Sequence, residues 1–143
     1  MPDGLSERLR RVVDVLPLEP GIRVLEIGGA PGAAAREVAR RVAPTGHILV
    51  LDRSRAGIDR TRRHCAGEIE AGLLSTHCAA VENFALPEGT GLFDLAFACR
   101  VGALDGRHRE LYPSAVEHIR RALKPNSCLY LDTGDPMTRI RLA

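Results

Sequence analysis

Apolar and polar positions repeat along this chain with two different periods. Leu5, Leu9, Val12, Val13 and Leu16 recur at the spacing of one helix face, and Pro17 and Pro20 end the run, which predicts an amphipathic opening helix. Residues 22–27, IRVLEI, are a short apolar run and predict a first strand. Residues 33–46, AAAREVARRVAPTG, set Ala and Val on one helix face and Arg on the other, with the turn from Pro44 to Gly46 as stop. HILVLD, 47–52, predicts a second strand, and a weaker helical stretch carrying Ile58, Cys65 and Ile69 leads into a third, LLSTHC, 73–78. A loop with Pro87, Gly89 and Gly91 introduces LFDLAFAC, 92–99, as the fourth. Within residues 110–126, Leu111, Ala115, Ile119, Ala122 and Leu123 return to helical spacing, with Pro113 either kinking that helix or marking its start and the KPN turn stopping it. CLYLDT, 128–133, reads as a fifth strand, followed by a short polar tail containing GDP.

Strands that are apolar on both faces and alternate with helices imply a parallel sheet covered on both sides, with right-handed crossovers. The expectation is a doubly wound α/β fold of about five strands in one domain, residues 1–143. In such sheets ligands bind beyond the carboxyl ends of the strands, where the strand order reverses.

Composition changes this picture little. Apolar content of 45% and charged content of 27% are ordinary, with no run long enough for a membrane span and no leader, so the expected setting is the cytoplasm. Cys65, Cys78, Cys99 and Cys128 are scattered without a CxxC and read as reduced core thiols. No metal is expected: neighbours such as His77 and Cys78 point to opposite faces of a strand and do not ligate one ion together. A net charge of +2 does not imply a polyanionic partner. Arg53, Arg55, Arg60, Arg62 and Arg63 cluster in one stretch, but that pattern reads first as a solvated helix face. Three Phe, two Tyr and no Trp leave little to stack on bases, which weakens the nucleic-acid reading further and leaves it a minor alternative.

The candidate chemistry lies in VLEIGGAPG, Val24 to Gly32. Gly28, Gly29, Ala30 and Gly32 let the backbone approach a ligand, and the following helix aims its first amides at the same place. The spacing is neither the G-x-G-x-x-G of dinucleotide sites nor a P-loop, which would close with Gly-Lys-Ser/Thr. Glu26 puts a carboxylate inside the preceding strand, and Asp52 ends the next strand. Asp52 fits two roles: acceptor for both hydroxyls of a ribose, or helix cap for the segment that begins at Arg53.

These segments resemble the class I S-adenosylmethionine-dependent methyltransferases. VLEIGGAPG is similar to their first motif, V-L-E/D-x-G-x-G-x-G, and VLD at 50–52 to the acidic end of their second strand. VENFALPEGTGLFDLAFACRV resembles their third-to-fourth-strand region, and HIRRALKPNSCLYL their helix, LKPGG turn and fifth strand. The resemblance covers nearly the whole chain. It implies a Rossmann-like fold, S-adenosylmethionine as cofactor and methyl transfer to a small-molecule acceptor. It also assigns roles: backbone from Gly28 to Gly32 around the methionine moiety, Glu26 toward its amino group or an ordered water, Asp52 on the ribose, Arg53 and Val81 beside the adenine, and main chain near Ala98 and Cys99 closing the methionine side. A sulfonium methyl is already activated, so the protein must chiefly align the acceptor and, where needed, take a proton. Arg100, Asp105, His108 and Tyr112 follow the fourth strand; His108 has the chemical character of a general base, although its place among Arg107 and Arg109 reads first as an exposed loop histidine.

The chain departs from the family pattern at two places. Ala30 stands where the motif has its middle glycine, and Ala80 where the family often has the acid that contacts the adenine amine, leaving that amine to Glu82, to water or to backbone. The family's usual last strand pair is not expected here. Residues 128–132 would then be a bare sheet edge, covered by the tail or by a second copy of the chain in a homodimer. Little sequence remains to build an acceptor pocket, so a non-catalytic cofactor- or partner-binding domain of the same fold is the rival reading.

Overall fold

The computed structural model describes residues 4–142. One sheet of six strands runs in the order β3-β2-β1-β4-β5-β6. The parallel strands are β1 (Arg23–Ile27), β2 (His47–Asp52), β3 (Leu74–Cys78), β4 (Phe93–Ala98) and β5 (Leu123–Leu131). The helices are α1 (Glu7–Val15), α2 (Ala33–Val42), α3 (Arg55–His64), α4 (Ala66–Glu70) and α5 (Tyr112–Ala122). The two apolar faces form two cores. Val24, Ile48, Val50, Leu95 and Phe97 pack under α1 and α2, while Leu25, Ile27, Leu49, Ala96 and Leu129 pack under α5. This is the doubly wound architecture the hydrophobic pattern implies, with the chain reversing between β1 and β4.

Local chemistry sets the element ends. Ser6 caps α1 by accepting from the Leu9 amide (3.2 Å), and Pro113 lies in the first turn of α5, where a missing N–H costs nothing. Pro113 therefore marks a start and not a kink. The predicted third helix is two helices, α3 and α4, that meet at Cys65.

The main corrections concern the last strands. β5 begins at Leu123, earlier than predicted, because Phe93 pairs with Leu123 and then Leu95 pairs with Cys128. The KPN segment is a bulge inside the strand, with Asn126 at φ 65° and Lys124 Nζ donating to Asp94 Oδ1 (2.7 Å). The edge of β5 is not bare. β6 (Thr138–Arg141) runs antiparallel along it, pairing Leu131 with Thr138 and Cys128 with Arg141. Residues 132–137 make the turn, and Ile140 and Leu142 then point toward the α5 core, so the tail buries apolar surface as it covers the edge. A second copy of the chain loses its physical motive at that edge. No helix among the described residues is long and apolar enough to cross a membrane.

Candidate functional site

The carboxyl ends of β1, β2 and β4 meet where the strand order reverses. Beyond Ile27 the chain turns through Gly28–Gly32 into α2, and the Gly28 amide donates to Leu51 O (2.7 Å), stitching the turn to β2. Gly32 occupies the N-cap position of α2 at φ 97°, a left-handed conformation that suits glycine. It lies against Cys65, outside the cavities described below. Gly29 serves a different need: a Cβ there would stand 2.5 Å from Glu26 Cδ, so the turn closes over the carboxyl only because Gly29 has no side chain.

Asp52 holds the turn from the other side. Its Oδ2 accepts from the Ala30 amide (3.1 Å) and its Oδ1 from the Ser54 amide (2.9 Å). The cap of α3 is Ser54, whose Oγ accepts from Gly57 N–H (2.9 Å), so the helix-cap role weighed for Asp52 belongs two residues later.

Glu26 is 4% exposed, and its Oε1 has no hydrogen-bond partner. Burial, and then the charge of Asp52, push its carboxyl up to about 8. A buried acceptor without a donor is costly, which makes this atom a place where the fold expects something else to bind.

Two cavities flank the turn. The first, about 340 Å³, is lined by Gly28, Asp52, Arg53, Val81, Glu82 and His108, together with Arg100–Ala103 and Arg107. The second, about 290 Å³, lies between α1 and the turn and is lined by Arg8, Leu9, Glu26, Gly28–Ala30 and Cys99, again with Arg100. Gly28 and Arg100 border both. Arg100 has φ 56°, uncommon for a residue with a side chain. That backbone is held by Asp132 Oδ2, which accepts from the Arg100 amide (2.9 Å), and by Arg107 Nη2, which donates to Arg100 O (2.8 Å).

Most of the predicted residues converge on these cavities, and several do not. Ala98 is buried at the end of β4, where its carbonyl accepts from the Asp132 amide (3.3 Å). Ala80 lines neither cavity, whereas Glu82, two residues on, lines the first. His108 faces the first cavity with a side chain 59% exposed and a ring packed over Gly102. Asp105 and Tyr112 instead line a separate cavity with Leu104, Leu131 and Thr133. The Cys99 thiol is pushed up to about 12 by burial and by Glu26 and Asp132, against the pull of Arg8, so it is neutral and not a nucleophile. Sequence reasoning missed Arg8 on α1, which lines the second cavity, and Asp132, which directly follows β5.

A family model described as a methyltransferase domain matches residues 24–126. An uncharacterized 37.1 kDa protein in a transposon of Streptomyces fradiae is 29% identical over 129 residues, 87% of this chain and 33% of its own. Protein-L-isoaspartate O-methyltransferase of Methanothermobacter thermautotrophicus is 36% identical over 52 residues, 36% of this chain and 24% of its own. This chain thus spans a third or less of those relatives. Among solved structures, a SAM dependent methyltransferase from Aquifex aeolicus superposes with a TM-score of 0.68 at 18% identity, covering 86% of this chain and 62% of the other. A SAM-dependent methyltransferase from Thiobacillus denitrificans in complex with S-adenosyl-L-homocysteine gives 0.67 at 18% identity, over 90% and 48%.

Proposed function

Because the chain belongs to the methyltransferase-domain family, we propose that it binds S-adenosylmethionine and transfers its methyl group to a small-molecule acceptor. The observation that carries this reading is the buried, unpartnered Glu26 oxygen at the wall of the second cavity. An ammonium group supplies what that oxygen lacks. The same cavity is lined by Arg8 and Arg100, so its walls offer a carboxyl for an ammonium and guanidinium groups for a carboxylate, the pattern that complements a zwitterionic amino-acid moiety. The first cavity would take the nucleoside, with Asp52 toward the ribose, Val81 and Arg53 beside the base and Glu82 in reach of its amine.

When bound, the cofactor supplies an activated methyl group. The protein's part is to fix it between Gly28 and Arg100, exclude water and present an acceptor. His108, on the wall of the first cavity, would take a proton from an acceptor that needs to lose one.

Isothermal titration of the folded protein with S-adenosylmethionine and S-adenosylhomocysteine tests the binding step. Absence of heat with both ligands at high protein concentration overturns the reading. Turnover against a panel of acceptors then separates an enzyme from a domain that only holds the cofactor. Asp52→Ala is expected to weaken binding of S-adenosylhomocysteine by roughly 1.5 to 3 kcal/mol, the range for hydrogen bonds to a charged group. The variant also frees the Ala30 and Ser54 amides, so a somewhat lower melting temperature is expected with it. Unchanged affinity would leave Asp52 with a purely architectural role.

A further inference from the structure

We propose that the exposed face of α3 docks the phosphodiester backbone of a nucleic acid, through Arg55, Arg60, Arg62 and Arg63 with Arg53 at the preceding turn. Residues 53–64 contain five arginines against the single acid Asp59, a net +4, whereas the whole chain is +2 with His neutral, so the rest of the protein is net −2. The net positive charge of the chain is therefore carried by residues 53–64.

The structure adds the pairing state of those charges. Several arginines elsewhere are neutralised: Arg11 by Asp135, Arg36 by Glu68, Arg41 by Asp14 and Glu37, Arg107 by Asp105, Arg120 and Arg121 by Glu117. Among the described residues, none of the five at α3 pairs with a carboxylate, and Arg62 donates only to Thr76 Oγ1 (3.2 Å). All five are exposed. Helix stability does not account for them. Arg62 and Arg63 suit the negative end of α3, but Arg55 is its first residue and its first turn holds no acid, so a cation stands at the end where the helix dipole repels it.

The partner's chemistry follows from what the face lacks. A membrane surface needs an apolar helix side to insert, and the apolar side of α3, with Ile58, is buried against the protein. A protein partner needs apolar or aromatic anchors, and the exposed large hydrophobics, Val15, Leu92 and Tyr112, all lie off α3. A phosphodiester chain needs neither, since its affinity comes from counterion release. From Arg55 to Arg63 the helix rises about 12 Å, matching three to four phosphates of a duplex strand at about 3.4 Å each. With no aromatic on the face for stacking, the contact is with backbone and independent of sequence. The proposal goes beyond the methyl-transfer reading and stands whether or not the cavities hold a methyl donor.

Fluorescence anisotropy with labelled double-stranded oligonucleotides of mixed sequence, one of DNA and one of RNA, reads the binding directly. The intact protein is expected to bind at low salt, with log K falling linearly as log salt rises. Arg55→Glu/Arg60→Glu/Arg63→Glu is expected to lose at least tenfold in affinity and about 3 in that slope, near 0.9 per lost phosphate contact. The triple Lys variant at the same positions keeps both, and circular dichroism melts establish that each variant is folded. No binding by the intact protein at low salt overturns the proposal, as does an unchanged slope in the folded Glu variant. So does equal or tighter binding to polyglutamate or to phosphatidylglycerol vesicles, which would assign the face to an acidic protein or a membrane.

Discussion

Glu26→Met is expected to melt at a higher temperature than the parent protein at pH 8 and to bind no S-adenosylhomocysteine. The parent buries a carboxyl with one oxygen unpartnered, and replacing it with an apolar side chain of similar size removes a penalty of about 1 to 3 kcal/mol. The stabilisation should depend on pH with a defined sign. Glu26 titrates near 4.5 when free and near 8 in the fold. Between those values the folded protein holds a proton that the unfolded chain has released. Stability from this group is therefore fully present below pH 4.5, declines as pH rises toward 8, and is flat above. The Met variant lacks this slope, so the two proteins differ least near pH 4.5 and most at pH 8. Binding runs the other way. A ligand ammonium requires the ionised carboxylate, so affinity in the parent should rise with pH toward 8, with proton release detectable by titration in buffers of different ionisation enthalpy. Affinity that does not change with pH would remove Glu26 from the ammonium site.

Gly29→Ala is the second large effect. Its methyl group would lie 2.5 Å from Glu26 Cδ and 2.6 Å from Oε1, with both residues buried. Either the carboxyl is displaced or the turn opens, and each damages the wall shared by the two cavities. A loss of about 1 to 3 kcal/mol in stability is expected from overpacking, with at least a tenfold loss in affinity for S-adenosylhomocysteine. The double variant Gly29→Ala/Glu26→Ala separates the two consequences. Shortening residue 26 makes room for the new methyl, so stability should return toward that of Glu26→Ala while binding stays lost. Additive stability losses would mean that the two positions do not meet as described.

The central sheet was readable because β1, β2 and β4 are apolar on both faces and bounded by turn residues, a pattern that leaves little choice of partner layer. Glu26 stood out for the same reason, as an acid in a strand whose neighbours are all buried. The sequence was least informative where tertiary pairing overrides local pattern. KPN reads as a turn but is a bulge, and β5 continues through it because Phe93 and Leu95 pair with residues on either side. Thr138–Arg141 carries one apolar residue in four and reads as polar tail. It becomes a strand because β5 offers it an edge and the core takes Leu142. Asp52 was legible as a site residue, but its grip on the Ala30 amide depends on how two loops meet in space. Arg8 and Asp132 carried no local signal, since each matters only through what a distant strand end places beside it.

The position of β1 between β2 and β4 has a consequence for how the chain acquires its structure. β2 follows β1 closely, but the other side of β1 is completed by β4, with Val24 opposite Leu95 and the Arg23 amide donating to Asp94 across 71 residues of sequence. The strand that presents Glu26 and the glycine turn is thus left half paired until most of the described chain is available. Contacts of such long sequence separation slow folding and make it cooperative. The first half of the sheet is not expected to persist as a stable intermediate. In native-state hydrogen exchange, the amides of β1 and β4 should open together at the free energy of global unfolding, and earlier exchange at β6 would mark it as the strand that docks last.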